Sequence, residues 1–144
     1  MKLRYRKYHH PVKYEVLQEN GNEDFQIQVP IYNYEIDTEF LNLTRKGLLT
    51  IRIGYPWDGP SGPAFDTVTF MVASLVHDAL YELLRLSLLP QTYRITADKI
   101  MRSICLEKGM NKYRAYWVYI GVRVGAVNSA LPGSQNRTIE ILEA

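Results

Sequence analysis

The chain has a single cysteine, almost no excess of either charge and no long apolar run among its 144 residues. One cysteine excludes an internal disulfide and a cysteine-rich zinc site. Cys105 sits in an apolar helical pattern, which predicts a buried, unreactive thiol. A formal net charge of +2, from 17 basic and 15 acidic residues, is far from the basic balance of most nucleic-acid-binding domains, so we expect no nucleic-acid partner.

No apolar run reaches the roughly 18 residues that a membrane-spanning helix requires. The polar start MKLRYRKYHH is not followed by the apolar segment of a secretory signal. We therefore expect no membrane span and a cytoplasmic location where the chain is made. Hydrophobic residues (47%) and charged residues (22%) occur at ordinary globular levels. The length predicts one domain, residues 1–144, of which 130–144 form an extended tail.

The N-terminal half carries the patterns of strands. Residues 2–16 and 24–36 are rich in tyrosine, valine and isoleucine, with Asn20-Gly21-Asn22 between them. This order predicts a strand, a turn and a second strand. Residues 48–55 alternate between apolar and polar side chains and predict a further strand that leads into a loop.

Three helical patterns follow in the C-terminal half, at residues 67–87, from near 96 to 107, and at about 112–127. Asp66, Thr96 and Asn111 stand where the N-caps are expected, and Lys108-Gly109 is typical of a basic last turn with a glycine stop. The third pattern places four apolar side chains on one side: Tyr116, Trp117, Ile120 and Val124. Strands first and helices second predict an α+β fold, in which about three helices pack on a small antiparallel sheet.

The first helical pattern has a broad apolar face and an opposite polar stripe. At about 100° per residue, the apolar face holds Val72, Leu75, Val76, Ala79, Leu80, Leu83, Leu84 and Leu86. This face is predicted to be core. The polar stripe holds Thr67, Ser74, His77, Asp78, Tyr81 and Arg85. Spacings of three and four place Ser74 and Tyr81 each beside both His77 and Asp78.

The loop before this helix and the helix itself carry two motifs. Three prolines and two glycines in the nine residues 55–63 predict a shaped loop. The loop motif Trp57-Asp58-Gly59-Pro60-Ser61 and the helix motif His77-Asp78-x-Leu80-Tyr81 resemble those of the domain-of-unknown-function 1353 family. The resemblance covers roughly residues 48–126 and extends to Ala97-Asp98. It implies a small protein encoded by a phage or prophage, and it supplies no reaction.

The polar residues of the loop and helix fit a hydrolase site. A histidine such as His77 suits a general base because the unperturbed imidazole pKa of about 6.5 allows proton transfer near neutral pH. Asp98 or Asp58 would orient it through the other ring nitrogen, and Ser61 is an alternative nucleophile. Asp78 would bind a divalent cation or polarise a water. Three further residues would support the site: Trp57, Ser74 and Tyr81. The substrate stays open between an envelope component and a phosphoester.

The same side chains also fit a buried polar network that fixes the loop to the helix. Under that interpretation the chain is a non-catalytic virion or assembly component. Its 11 tyrosines would then build contacts with copies of itself or with other phage proteins, because tyrosine joins a large apolar ring to a polar tip. The protein would be made in the host cytoplasm and end in the virion. The sequence leaves both functions open.

Overall fold

The computed structural model describes residues 3–9, 12–17, 24–57 and 68–133. Within them, strands occupy the N-terminal half and helices the C-terminal half, so the fold class is α+β as predicted. The chain divides into two compact units, residues 1–75 and 76–144, with the boundary inside the first helix. The single domain predicted from the length stays a prediction, and the part of the predicted tail beyond residue 133 lies outside the described residues.

The strands form two antiparallel sheets rather than the one that was expected. The first sheet has the order β1-β2-β7 and contains β1 (Arg4–His9), β2 (Val12–Leu17) and β7 (Pro56–Trp57). The second has the order β3-β6-β5-β4 and contains β3 (Phe25–Gln28), β4 (Ile36–Asp37), β5 (Leu41–Leu43) and β6 (Leu48–Ile51).

Each long strand pattern is divided in the structure. The predicted strand 2–16 is a hairpin, in which His9 pairs with Val12 and Arg4 with Leu17. A proline at position 11 cannot donate to a ladder, which explains why the run does not continue as one strand. The predicted strand 48–55 provides β6 of the second sheet and then turns at Gly54 (φ +92°) toward β7 of the first.

The second sheet buries one face through alternate residues of two neighbouring strands. Leu43 pairs with Leu49 and Leu41 with Ile51, and all four side chains are buried. The turn before β6 contains Gly47, whose φ is +84°. Its N–H donates to the carbonyl of Thr44 (2.9 Å), and its own carbonyl accepts from the N–H of Val29 (2.8 Å). The turn is therefore tied to β5 and to the end of β3.

Three helices follow, α1 (Val68–Arg85), α2 (Arg94–Glu107) and α3 (Lys112–Gly125), with short 3₁₀ turns at Gln91–Tyr93 and Val127–Ala130. Their limits agree with the predicted ones within about two residues at most ends. None of the helices in the described part of the chain is long and apolar enough to cross a membrane. The predicted N-cap of α1, Asp66, lies outside the described residues.

The ends of α2 and α3 test the other predicted caps. Thr96 as N-cap is wrong, because α2 begins at Arg94 and Tyr93 already has helical angles without a side-chain cap. The preceding 3₁₀ turn supplies that start. Asn111 is confirmed, since its Oδ1 accepts from the N–H of Tyr113 (2.8 Å). Gly109 (φ +93°) ends α2 with bonds from Gly109 N to Leu106 O and from Met110 N to Cys105 O, the Schellman pattern.

Burial confirms the predicted core face of α1, whereas part of the predicted apolar side of α3 is exposed. The apolar face of α1 is buried except for Leu86, which is exposed. On α3 the buried side chains are Ala115 and Val118, while Trp117 and Val124 from the predicted apolar side are exposed. Cys105 is buried as predicted, and burial raises the pKa of its thiol to about 12, so it is unreactive near neutral pH.

Candidate functional site

Three side chains converge on the buried carboxylate of Asp98 in α2. Oδ1 accepts from His77 Nε2 (2.7 Å) and from the hydroxyl of Tyr81 (2.6 Å), both on α1. Oδ2 accepts from Arg123 Nη1 of α3 (2.8 Å). Asp98 has no solvent exposure. We call Asp98, His77, Tyr81, Arg123 and the adjoining Arg94 the Asp98 cluster; all five belong to the unit 76–144.

The sequence brings these residues together through helix spacing and one buried carboxylate. His77 and Tyr81 are four residues apart, so they lie on the same face of α1, and their ring centroids are 4.1 Å apart. Asp98 lies on the buried side of α2 next to Ala97. A buried charge is stable only when it is paired and hydrogen-bonded, which accounts for three donors on one carboxylate.

Asp98 is ionised in this environment. Burial alone would raise its pKa, but the hydrogen bonds from His77, Tyr81 and Arg123 outweigh it and lower the pKa below the ordinary value of 3.8. An ionised carboxylate can only accept hydrogen bonds. The proton of the short bond to His77 must therefore reside on His77 Nε2.

That bond determines which nitrogen of His77 is available for chemistry. With the proton on Nε2, the neutral imidazole has its lone pair on Nδ1. Among the described residues the hydrogen bond of the His77 ring is the one through Nε2, and the side chain keeps 12% exposure. His77 is thus an oriented imidazole with a basic nitrogen directed away from its carboxylate partner.

Arg94 connects Tyr81 to the end of α3. Its Nε donates to the Tyr81 hydroxyl (3.2 Å), and its Nη2 donates to the carbonyls of Val122 (3.0 Å) and Arg123 (2.7 Å). Carbonyls at the end of a helix run short of donors within the helix. Arg94 supplies one to Arg123 and a second one to Val122, which also accepts from the N–H of Ala126 (3.1 Å). Burial, followed by the bond to Asp98, raises the pKa of Tyr81, which keeps its phenol protonated and donating.

The predicted residues Trp57 and Ser74 belong to a separate cluster in the unit 1–75. Trp57 Nε1 donates to Ser74 Oγ (3.2 Å), and the Ser74 hydroxyl donates to the Met71 carbonyl (2.9 Å). The indole also packs against the rings of Tyr5 and Tyr14, at centroid distances of 6.0 and 5.3 Å. This geometry is that of a buried packing anchor with its polar atom satisfied.

The described geometry decides no role for three other predicted site residues, Asp58, Ser61 and Asp78. Asp58 and Ser61 lie outside the described residues, so their predicted roles stay predictions. Asp78 is half-buried on α1. Within the described ranges, no group of three or more His, Cys, Asp or Glu side chains is placed to hold a metal ion. Cation binding by Asp78 therefore also stays a prediction.

Sequence reasoning missed Arg94 and Arg123. Two general rules predict that such residues exist. A buried aspartate needs a cationic partner, and the carbonyls at the end of a helix need donors. With 17 basic residues in the chain, however, neither rule chooses among them. Only the packing of α2 against α3 selects Arg123 for Asp98.

A second polar region, in the second sheet, has less capacity for chemistry. A depression of about 280 Å³ is lined by Glu35, Ile36, Asp37, Asn42, Leu43 and Thr44. Its carboxylates are paired on the surface, Glu35 with Arg45 (3.3 Å) and Asp37 with Arg52 (2.6 Å). The hydrogen bond from Arg52 lowers the pKa of Asp37. Since the lining has no histidine or other group suited to proton transfer near pH 7, we take the Asp98 cluster as the candidate site.

Comparison with known proteins adds one finding. A protein-family model described as "Protein of unknown function (DUF1353)" matches residues 35–122. No curated protein and no solved structure matches the chain. The match includes His77, Tyr81 and Asp98 and ends one residue before Arg123.

Proposed function

The chain belongs to the DUF1353 family of proteins of unknown function, whose model covers more than half of it, and we propose that it is a hydrolase with His77 as general base. The observation that carries the proposal is the 2.7 Å bond between His77 Nε2 and the buried carboxylate of Asp98. A carboxylate in this position fixes the tautomer and orientation of a catalytic imidazole and stabilises the imidazolium that forms.

The proposed step uses the free nitrogen of His77. Nδ1 takes a proton from a water molecule while the water oxygen attacks the electrophilic atom of the substrate, and the imidazolium then gives the proton to the leaving group. Asp98 stabilises the imidazolium through the Nε2 bond. Tyr81 and Arg123 hold the carboxylate in place by donating to two further acceptor positions, so they are positioning residues.

Three finer parts of the proposal rest on the sequence. The motif resemblance implies a phage or prophage protein, so the substrates to test are envelope components and phosphoesters. Asp78 as ligand of a divalent cation completes the hypothesis. Ser61 is the alternative nucleophile to the water, and Asp58 is the alternative orienting carboxylate. We place the protein in the host cytoplasm when it is made and, in the alternative below, in the virion.

The hydrolase proposal predicts a specific loss in one variant. Hydrolysis of p-nitrophenyl acetate, bis(p-nitrophenyl) phosphate and dye-labelled peptidoglycan would be measured for the wild type, His77→Gln and Tyr81→Phe. On whichever of these substrates the wild type hydrolyses, His77→Gln should lower kcat/KM by at least about 100-fold, the usual contribution of a general base. Tyr81→Phe is the matched control, because it removes a donor to Asp98 without touching His77, and it should stay within about tenfold.

Two outcomes contradict the hydrolase. A wild-type protein inert toward all three substrate classes does so, and so does a His77→Gln variant that keeps full activity. Circular dichroism of each variant must match the wild type, so that a loss of activity is not a loss of fold.

A non-catalytic virion or assembly component is the second candidate function. Asp98 is completely buried and accepts three hydrogen bonds. This arrangement favours the non-catalytic function, because a satisfied polar network also serves to fix one packing arrangement. Under this function the partners are copies of the chain or other phage proteins. Antibody detection of the protein in purified, washed virions together with an inert wild type would favour this candidate over the hydrolase.

A further inference from the structure

α3 presents an apolar face to solvent. Tyr113 is 67% exposed, Tyr116 44%, Trp117 68% and Val124 75%. At 100° per residue these four residues fall within one third of the helix circumference. We call them the outer face of α3. The opposite side holds the buried Ala115 and Val118, so the helix is apolar on both sides.

Such a face is unusual on a soluble helix, whose outer side normally carries charged residues. With about 150–250 Å² for a whole aromatic side chain, the exposed parts of the outer face amount to about 500 Å². Continuous apolar patches of this size usually mark a binding surface. We therefore expect the outer face of α3 to bind a partner.

The charges around the outer face indicate what that partner is. α3 contains no acidic residue, and of its three basic residues Arg123 is paired with Asp98 of α2 (2.8 Å). Lys112 Nζ lies 5.1 Å from the ring centroid of Tyr113, and the guanidinium of Arg102 on α2 lies 5.4 Å from that of Tyr116. The apolar face is thus bordered by cations, and its complement is an anionic surface with an apolar layer.

A second copy of the chain fits these charges poorly. A two-fold contact between outer faces would bury about 1,000 Å² in total, at the lower limit of specific interfaces. It would also bring the basic residues of two α3 helices together with no acidic residue of α3 between them, and like charges in contact oppose association.

Single-stranded nucleic acid is also a poor fit. Stacking of bases requires free aromatic faces, whereas the chain's own cations lie over the rings of Tyr113 and Tyr116. Val124, the most exposed member of the face, offers an aliphatic contact that bases do not require.

We propose that the outer face of α3 binds the surface of an anionic phospholipid bilayer. Tryptophan and tyrosine prefer the boundary between headgroups and acyl chains, because their rings are apolar and their N–H and O–H groups stay hydrated. Val124 would enter the apolar layer, and Lys112 would approach the lipid phosphates. The proposal concerns peripheral binding and does not depend on catalysis at the Asp98 cluster.

The two tryptophans give a direct test, since Trp117 is exposed and Trp57 is buried at 1% exposure. Vesicles of phosphatidylcholine with an equal part of phosphatidylglycerol should shift the emission of the wild type to the blue, as Trp117 leaves water. Vesicles of phosphatidylcholine alone, or about 0.5 M salt, should weaken binding by about tenfold or more. In Trp117→Phe the shift should disappear, because Trp57 is already buried.

Co-sedimentation with the anionic vesicles tests the face itself. Val124→Glu should bind at least about tenfold more weakly, because it puts a carboxylate into the apolar layer. The control Gln26→Glu makes the same change of charge at an exposed residue of β3, and it should stay within about twofold.

Four outcomes overturn the proposal. They are no binding to either vesicle, equal binding of Val124→Glu and the wild type, a blue shift without vesicles that grows with protein concentration, and a larger response to a single-stranded oligonucleotide than to vesicles. The third would assign the face to a second copy and the fourth to nucleic acid.

Discussion

Replacing Asp98 by Asn is expected to lower the free energy of unfolding by about 2–4 kcal/mol. The substitution keeps the shape of the side chain but removes the negative charge. Arg123 then loses its counter-charge, and one of the two carboxylate oxygens becomes an NH2 group, which places a donor against Arg123 or against the His77 and Tyr81 donors. Because the Arg123 side chain keeps 29% exposure, water can compensate in part, and the expected value stays below that of a fully buried pair.

Urea unfolding followed by far-ultraviolet circular dichroism, which reports on the three helices, measures this loss. Tyr81→Phe is the matched control, since it keeps the charge of Asp98 and removes only the hydroxyl with its bonds to Asp98 and Arg94, and it should cost about 1–2 kcal/mol. An Asp98→Asn variant that loses no more stability than Tyr81→Phe would show that the charge of Asp98 does not hold the cluster together.

The difference in free energy of unfolding between the wild type and Asp98→Asn should depend on pH. The pKa of Asp98 is lowered in the folded protein, so its contribution to stability is complete above the unfolded value of about 3.9. That contribution declines as the pH falls through the lower, folded pKa. The stability difference between wild type and Asp98→Asn should therefore shrink from about pH 5 downward. A difference that stays constant down to about pH 2 would contradict this cause.

Replacing Gly47 by Ala is expected to destabilise the second sheet by about 3 kcal/mol or more. Gly47 has a φ of +84°, and an added Cβ would overlap the carbonyl oxygen of Val29 and lie 3.1 Å from that of Ile31. Both obstacles are backbone carbonyl oxygens, and Val29 is held to the turn by the bond from its N–H to the carbonyl of Gly47 (2.8 Å), so they cannot move aside cheaply. Unfolding followed through Trp57, in the first unit, measures the effect.

Gly109→Ala separates the two causes of this loss. Gly109 has nearly the same backbone angle, with φ of +93°, but a Cβ there meets no atom within 4 Å. Only the cost of the left-handed conformation remains, about 1–2 kcal/mol. Equal losses in the two variants would show that the carbonyl of Val29 is not the obstacle at Gly47.

The sequence predicted what depends on neighbours along the chain. The 3.6-residue period of α1 identified its buried face, and Asn111 and Gly109 marked helix ends through local hydrogen bonds. The sheets were less predictable, because the partner of a strand is determined by distant residues. Thus β3 pairs with β6, and β2 pairs with β1 and β7, although sequence order suggested that β2 and β3 would be neighbours.

The candidate site was predictable to a similar degree. His77 and Asp98 were identified by their chemistry, and the structure places them 2.7 Å apart. Arg123 was not identified, because the choice of cation depends on how α3 packs on α2. The orientation of α3 was ambiguous for a related reason: tyrosine and tryptophan suit both a core and an interface, so the pattern at Tyr116 and Trp117 does not say which side faces solvent.

The tautomer of His77 is the most direct test of the proposed general base. Long-range ¹H–¹⁵N correlation spectra of the protein, with His77→Gln to assign the signals, distinguish the two ring nitrogens. The bond to ionised Asp98 predicts that the neutral form of the imidazole carries its proton on Nε2 and leaves Nδ1 bare. In Asp98→Asn this preference should weaken. A neutral His77 with its proton on Nδ1 in the wild type would contradict the account, because the nitrogen available to a substrate would then not be a base.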